Sequence, residues 1–465
     1  MNMINVRRLA VMTFLGAGML SDISAQDFSL QADTLNEARL PAQWDLQSCI
    51  DYALEQNITI RKNRVTAEST QIDVKTAKAA LFPSLSFSTS QQVVNRPYQE
   101  TSSRVSGSEI ISSNSKTSYN GNYGLNASWT IYNGSKRLKT LKQERLNNQV
   151  AELDVATSEN TIKESIAQIY IQILYAAESV RVNENTLQVS IAQRDRGQEL
   201  LNAGSIAKSD FAQLEAQVST DRYQLVTAQA TLQDYKLQLK QLLELDGENE
   251  MNVYLPKLSD ENVLAPLPAK KDVYVSALAI RPEIEASKLN IEASELGIDI
   301  AKSSYFPTIS LSAGIGTNHT SGSDFTFGEQ VKNGWNNSIG LSVSVPIFNN
   351  RQTKSAVQKA KLQRETDMLS LLDEQKALYK TIESLWLDAN SAQQRYAAAN
   401  EKLRSTQISY DLISEQFNLG MKNTVELLTE KNNLLQAQQE QLQAKYMAIL
   451  NTQLLKFYQG DKLTL

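Results

Sequence analysis

The sequence has 465 residues, with 46 basic and 51 acidic side chains, a formal net charge of -5, and only one cysteine and one histidine. It has no basic excess, which argues against nucleic acid as a partner. One cysteine and one histidine exclude an internal disulfide and a histidine-based metal cluster. No phosphate-binding loop, dinucleotide fingerprint or nucleophile elbow occurs, so we expect no enzyme activity and no cofactor.

The first 25 residues have the layout of a secretory signal peptide. Arg7 and Arg8 precede an apolar run, Leu9–Leu20, and a stretch of small residues ends at Ala25. This order predicts export and cleavage after Ala25. A buried N-terminal helix is the alternative interpretation.

The remaining chain repeats itself. Phe82-Pro83 and Phe306-Pro307 lie 224 residues apart (306 − 82), and two glycines in similar surroundings, Gly204 and Gly420, lie 216 apart (420 − 204). Matches that keep such offsets over long stretches indicate a tandem duplication. The predicted parts are a first repeat, a proline-containing connector and a second repeat, at residues 26–245, 246–272 and 273–465.

Within each repeat, the segment after the Phe-Pro pair alternates between apolar and small polar residues. In Tyr119–Ile131 the odd positions are apolar apart from Gly121, and the even positions are Asn, Gly, Ser or Thr; Ile339–Ile347 has a similar pattern. Such alternation predicts strands with one apolar and one polar face. We predict four strands in two hairpins, at about 84–132 and about 308–348, with loops as tips at 96–118 and 318–334.

Helical patterns precede and follow each hairpin. Apolar residues recur every seven positions, as in Ile166, Ile173 and Val180, which is typical of coiled coils. Few glycines and prolines interrupt these segments, and the longer ones would extend roughly 100 Å. The predicted helices after the hairpins lie at about 135–201, 206–245, 351–418 and 422–458, with Gly204 and Gly420 at the reversals.

Strands of about ten residues with one apolar face are typical of membrane β-barrels. Four strands cannot close a barrel, and an open sheet edge in lipid leaves backbone groups unpaired. Three chains would supply twelve strands and close a helical tube beneath them. A soluble sheet packed on helices is the alternative for each strand alone. The predicted fold class is mainly α with a membrane β-barrel, built from tandem-repeat protomers with long coiled-coil helices.

The chain resembles the TolC-like outer-membrane efflux proteins, or outer membrane factors. The resemblance lies in the tandem halves, the helix-to-strand junctions at Pro83 and Pro307, the helical turns at Gly204 and Gly420, and the segment Gly420–Gln438. It implies a homotrimer in the outer membrane of a Gram-negative bacterium, with a 12-stranded barrel in lipid and a periplasmic α-helical barrel. It also implies a passive exit duct for efflux or type I secretion. A periplasmic adaptor (membrane fusion) protein would dock at the turns and join the duct to an RND or ABC inner-membrane pump.

The same resemblance assigns roles to residues near the turns. Acidic residues are common in the family six positions after each glycine, here Asp210 and Glu426, and a basic residue two positions after the second glycine, here Lys422. They imply a cation-selecting periplasmic aperture, closed in part by a contact between Lys422 and Asp210. Phe417 replaces an aromatic hydroxyl and Thr429 a second acid, so we expect a weaker latch and a less negative constriction. A solvated helix-turn surface is the alternative.

A different class of function remains as an alternative. The chain could be a secreted or surface coiled-coil structural or adhesion protein with a small β-cap. That hypothesis predicts a soluble or surface-bound product, whose apolar strand faces would be prone to aggregation.

Overall fold

The computed structural model describes residues 41–98, 102–106, 109–113, 116–246, 251–256, 263–321, 323 and 325–464. The predicted signal peptide, residues 1–25, lies outside them. The chain divides into two units. In the described part of the smaller unit, Trp44 forms an isolated parallel bridge with Val253. The larger unit, residues 45–251 and 255–465, contains the helices and strands named below.

The two repeats follow the same order of elements: two helices, paired strands, a 67-residue helix, and a helix of 35 or 36 residues. The first repeat contains α1 Leu46–Gln56, α2 Ile58–Ala79, β1 Ser84–Asn95, β2 Ser102–Ser106, β3 Glu109–Ser113, β4 Thr117–Asn133, α3 Lys136–Asn202 and α4 Lys208–Leu242. The second contains α5 Lys270–Ile280, α6 Pro282–Ser303, β5 Thr308–Thr320, α7 Phe327–Asn333, β6 Asn336–Ser344, α8 Gln352–Asn418 and α9 Thr424–Gln459.

In each repeat, the second helix begins directly after the first, but a different residue type marks its start in the two repeats. The Asn57 side chain accepts hydrogen bonds from the backbone N–H groups of Thr59 (2.9 Å) and Ile60 (3.4 Å), and thereby caps α2. In the second repeat, Pro282 is the first residue of α6, where its missing N–H has no intrahelical partner to lose.

The 67-residue helix α3 has two shorter partners along its length. Arg64 of α2 pairs with Glu159 of α3 at 3.0 Å, and Asp221 of α4 contacts Ser190 of α3. A helix of this length extends about 100 Å, and α2 and α4 pack against different parts of it. Among the described helices, none is both long enough and apolar enough to cross a membrane.

Pro83 and Pro307 each lie directly before a strand, β1 and β5 respectively. Proline has no N–H to donate and disfavours helix in the residue before it. The preceding helices end at Ala79 and Ser303. Each proline therefore stands at the change from helix to strand.

The four main strands form one antiparallel sheet in the order β1-β4-β5-β6. One row of directly paired residues is apolar across the whole sheet: Leu85, Ala127, Ala313 and Ile339. The next row is small and polar: Ser86, Asn126, Gly314 and Ser338. Because side chains alternate between faces, the sheet has one apolar face and one polar face. The prediction of four strands with this patterning is confirmed.

The alternation breaks at one point in β4. The register shifts between Thr130 and Tyr132, so that Tyr132 lies opposite Ile309. A β-bulge inserts one unpaired residue, and the residues beyond it exchange faces relative to strict alternation. Ile131, the last residue of the predicted alternation, is the residue that has no partner in β5.

The second hairpin is shorter than the predicted boundary of about 348. Strand β6 ends at Ser344, although Val345 and Ile347 continue the apolar pattern. Pro346 explains the early end, because it cannot donate to the strand ladder and restricts the residue before it.

The two hairpin tips contain regular structure where loops were predicted. In the first tip, β2 pairs with β3 in a separate antiparallel sheet. In the second tip, Thr326 and Glu329 form a capping box that begins helix α7. The Thr317 hydroxyl of β5 donates to the Val331 carbonyl of α7 at 2.7 Å, which holds this helix against the strand.

An apolar core joins the helices of the second repeat below the sheet. Its buried members are Val273, Ala277, Ile284, Leu378, Ile382, Ala389 and Leu455. Beside α5, the buried Arg281 donates to Glu164 of α3 at 2.7 Å. The Arg281 guanidinium also lies 3.6 Å from the centre of the Tyr458 ring in α9. These contacts connect the second repeat to the long helix of the first.

Candidate gate and docking surface at the helical turns

Two sharp turns join the long helices to the helices that follow them. Gly204 (φ 75°) and Gly420 (φ 74°) both have left-handed backbone conformations and are exposed. At each turn, the residue after the glycine donates a hydrogen bond back to the end of the long helix, which is the Schellman arrangement. The two bonds run from Ser205 N to Leu200 O and from Met421 N to Gln416 O, both at 2.8 Å.

Asp210 and Glu426 occupy the third position of the helices that begin after these turns. Asn423 Oδ1 accepts from Glu426 N at 2.9 Å, and Glu426 Oε2 accepts from Asn423 N at 3.3 Å, which completes a capping box. Asp210 Oδ2 accepts from Ala207 N at 3.4 Å, but alanine has no side-chain acceptor to return the bond. Both carboxylates therefore stabilise a helix start as well as carrying charge near a turn.

Lys422 forms an ion pair within its own turn. Its Nζ lies 2.5 Å from Glu426 Oε1. The Lys422 ammonium and the Asn423 backbone N–H hold the pKa of the Glu426 carboxyl below its usual range. Within this single chain the partner of Lys422 is Glu426, and the contact with Asp210 that the resemblance implies stays a prediction. The pair reduces the net negative charge of the second turn.

Phe417 lies inside the helix packing. It is 2% exposed and forms a cluster with Leu214 of α4 and Leu427 of α9, which we call the turn cluster. The ring therefore supports the turn by apolar packing. Thr429 is exposed on α9, and its hydroxyl donates to the Val425 carbonyl at 2.7 Å, so it bonds within its own helix.

An exposed apolar patch, which was not predicted from the sequence, surrounds the second turn. Leu419, Met421 and Val425 are 67%, 70% and 58% exposed. The equivalent positions of the first turn hold smaller residues: Ala203, Ser205 and Ser209. Larger apolar residues at the second turn than at the first can be recognised in the sequence, and they indicate that the two turns have different surfaces. An exposed apolar cluster of this kind is typical of a protein docking surface.

The apolar face of the four-stranded sheet is open to solvent in this chain. Its exposed members include Leu85, Phe87, Leu125, Ile339, Leu341 and Val343. In the part of the chain that the structure describes, β1 and β6 each pair with a strand on one side only. Open edges and an exposed apolar face require cover by another chain or by lipid.

Two helices carry exposed apolar residues spaced by seven. On α2 these are Ile58, Val65 and Ile72, and on α8 they are Leu362 and Leu369. A spacing of seven places side chains on one side of a helix, as in a coiled-coil seam. Each stripe therefore has the pattern of a helix-packing surface.

Comparison with known proteins identifies the family to which this architecture belongs. The sequence profile of a family described as "Outer membrane efflux protein" matches residues 49–244 and 273–460, one match in each repeat. The chain belongs to the outer membrane efflux protein family. The resemblance predicted from the repeats, junctions and turns is thus confirmed.

Individual family members are distant in sequence. The outer membrane efflux protein BepC of Brucella suis is 25% identical over 294 residues, 63% of this chain and 61% of BepC. The outer membrane protein TolC of Escherichia coli is 24% identical over 341 residues, 70% of this chain and 66% of TolC. This chain therefore spans slightly less than two thirds of the length of both relatives.

A solved structure of CusC has the same fold. It superposes with a TM-score of 0.76 at 19% identity and covers 91% of this chain and 94% of that chain. The mainly helical, tandem-repeat protomer with a four-stranded sheet is thus shared with a family whose members diverge widely in sequence.

Proposed function

We propose that this protein is a passive exit duct in the outer membrane of a Gram-negative bacterium, serving tripartite efflux or type I secretion. It conducts substrates from a periplasm-spanning pump complex to the outside. The observation that carries the proposal is the four-stranded sheet, with a continuous apolar face and two open edges, in a member of this family. A secreted coiled-coil adhesion protein would instead leave that face in water, where it favours aggregation.

The sheet edges support assembly as a homotrimer. In lipid, every backbone N–H and C=O group needs a partner, so a four-stranded sheet with open edges is unstable there. Pairing β6 of one chain with β1 of the next satisfies both edges. Three chains then form a closed barrel of twelve strands, with the apolar rows toward outer-membrane lipid and the Ser/Gly/Asn rows toward the lumen.

The helices support the same head-to-tail arrangement. The Val65 stripe of α2 and the Leu369 stripe of α8 lie on the two helices that flank the α3 and α6 pair. Packing α8 of one chain against α2 of the next buries both stripes at one interface. A heterologous contact of this kind closes into a ring when the rotation is threefold, giving a periplasmic helical tube below the barrel.

The turns support a docking role toward the pump. The Leu419, Met421 and Val425 patch and the exposed Gly204 and Gly420 suit the end of a periplasmic adaptor protein, which links the duct to an RND or ABC inner-membrane pump. Threefold symmetry also multiplies the carboxylates beside the turns. Rings of Asp210 and Glu426 would attract cations to the aperture.

The test compares charged substitutions on the two faces of β6. Leu341→Asp places a carboxylate on the apolar face, and Ser342→Asp places the same group one residue away on the polar face. We expect L341D to be absent from assembled outer-membrane trimers, because charge in hydrocarbon is costly. S342D should assemble and form pores in planar bilayers. Equal assembly of the two variants would contradict the lipid-facing assignment.

A further inference from the structure

A buried charge network lies away from both the turns and the sheet. Lys431 of α9 pairs with Asp221 of α4 and also donates to Ser190 of α3. These three residues are 3%, 2% and 2% exposed. Gln217 Nε2 donates to the other oxygen of Asp221 at 2.9 Å. Among ion pairs between described residues, no other has both side chains so deeply buried.

The network occupies positions that coiled-coil packing would otherwise fill with apolar side chains. On α9, Lys431 lies four residues after Leu427 and three before Leu434, and both leucines are buried. On α4, Asp221 lies three residues after the buried Val218. A polar residue at such a core position lowers stability relative to an apolar one but fixes the register of the helices.

The network joins helices from different repeats. We call α3 with α4 the first coil and α8 with α9 the second coil. The coils also meet at the turn cluster and through Gln193 Nε2, which donates to Tyr410 OH at 2.8 Å. Lys431 lies seven residues beyond Thr424, the first residue of α9 (431 − 424), about 10 Å along the helix. Lys431 is therefore close enough to the second turn to influence the position of that turn relative to the first coil.

We propose that Lys431, Asp221 and Ser190 form a polar lock that holds the second coil against the first coil in one register and so positions the two turns. This inference rests on the proposed function, in which the turns restrict the periplasmic end of the duct. The three are positioning residues, since they act on the aperture through the helices.

A buried charged pair fixes the register of two packed helices more strictly than apolar side chains do. In an apolar layer, a sliding or rotating helix exchanges one apolar neighbour for another, and burial changes little. A buried ammonium has no such freedom, because displacement from Asp221 and Ser190 leaves it charged and unpaired. Burial lowers the pKa of Lys431, and the Asp221 carboxylate opposes that shift. The network therefore favours one arrangement of the two coils.

The experiment separates register from stability. Full-length wild type, Lys431→Met, Asp221→Leu and the double variant K431M/D221L are compared in pore conductance and melting temperature. Each single variant leaves a buried charge unpaired, so its melting temperature falls and its conductance rises. In the double variant, apolar side chains fill the seam and the melting temperature recovers. Its conductance stays about threefold or more above wild type because the register is free.

A matched control comes from the second coil itself. Lys402 and Glu440 form an exposed pair at 2.7 Å within that coil, so Lys402→Met should change neither property. Wild-type conductance in the double variant would overturn the polar lock, as would an equal rise in K402M. If the double variant does not fold, Ser190→Ala removes one acceptor of Lys431 and keeps the ion pair. We expect a smaller rise in its conductance, and unchanged conductance would overturn the lock. Failure of wild type to form pores would contradict the proposed function itself.

Discussion

At the scale of single residues, Asp210 and Glu426 combine two roles that are hard to separate by inspection. Each carboxylate accepts a backbone hydrogen bond at a helix start, and each lies beside an exposed glycine. Lys422 neutralises part of the charge of Glu426. In the proposed duct, these three side chains, two acidic and one basic, contribute to the field at the aperture.

Opposite substitutions at these residues should move ion selectivity in opposite directions. Asp210→Asn removes a negative charge and should lower the preference for cations, while Lys422→Gln frees the charge of Glu426 and should raise it. Reversal potentials in a potassium chloride gradient measure both. Shifts of the same sign, or none, would show that these residues lie away from the ion path.

Glu426 also predicts a dependence of stability on pH. Its pKa is lowered from 4.5 by Lys422 and the Asn423 backbone. A lowered pKa in the folded protein contributes stability above the unfolded value, and this is lost as pH falls through the folded value. The melting-temperature advantage of wild type over Glu426→Gln should therefore shrink from pH 6 to below pH 4.5. An advantage that stays constant with pH would contradict this account.

At the scale of elements, the left-handed glycines determine where the long helices reverse. A Cβ at Gly420 would meet nothing within 4 Å, so the effect of a substitution there is confined to the backbone conformation. The same holds at Gly204. The two turns therefore allow a clean test of backbone strain.

Gly420→Ala should destabilise the second turn by about 1 kcal/mol, because alanine disfavours the left-handed conformation. Amide hydrogen exchange in the first turn of α9 should become faster. Gly328→Ala is the control, since Gly328 lies in α7 without a left-handed φ and also has open space around it. Equal exchange rates in the turn of G420A and wild type would argue against a strained glycine there.

Much of each element could be predicted from local pattern. The period-two alternation fixed which strand faces are apolar, and the seven-residue spacing indicated the long helices. The β4 bulge could not be read in this way, because it depends on pairing with β5. The capping box at Thr326 and Glu329 is visible in the sequence and indicates a helix start where a loop was predicted.

The candidate site was predicted less completely than the fold. Asp210, Glu426 and Lys422 were implied by the family resemblance, whereas the Lys422–Glu426 pair depends on side-chain conformation. Lys431 looks like an ordinary surface lysine in sequence. Its burial follows only from the packing of α9 against two helices of the other repeat, α3 and α4.

At the scale of the whole molecule, a single chain exposes surfaces that are normally covered by other chains or by lipid. Among the residues that the structure describes, the sheet has an exposed apolar face and open edges, and α2 and α8 carry exposed apolar stripes. Head-to-tail assembly of three copies accounts for all of these surfaces together. In the proposed trimer, lipid would cover the apolar sheet face that remains on the outside.

The most direct measurement is the mass of the protein extracted from cell envelopes in mild detergent, by light scattering corrected for bound detergent. We expect three chains per particle, recovered from the outer-membrane fraction. A water-soluble monomer or dimer would contradict the duct, and the long helices would then require explanation as a coiled-coil scaffold.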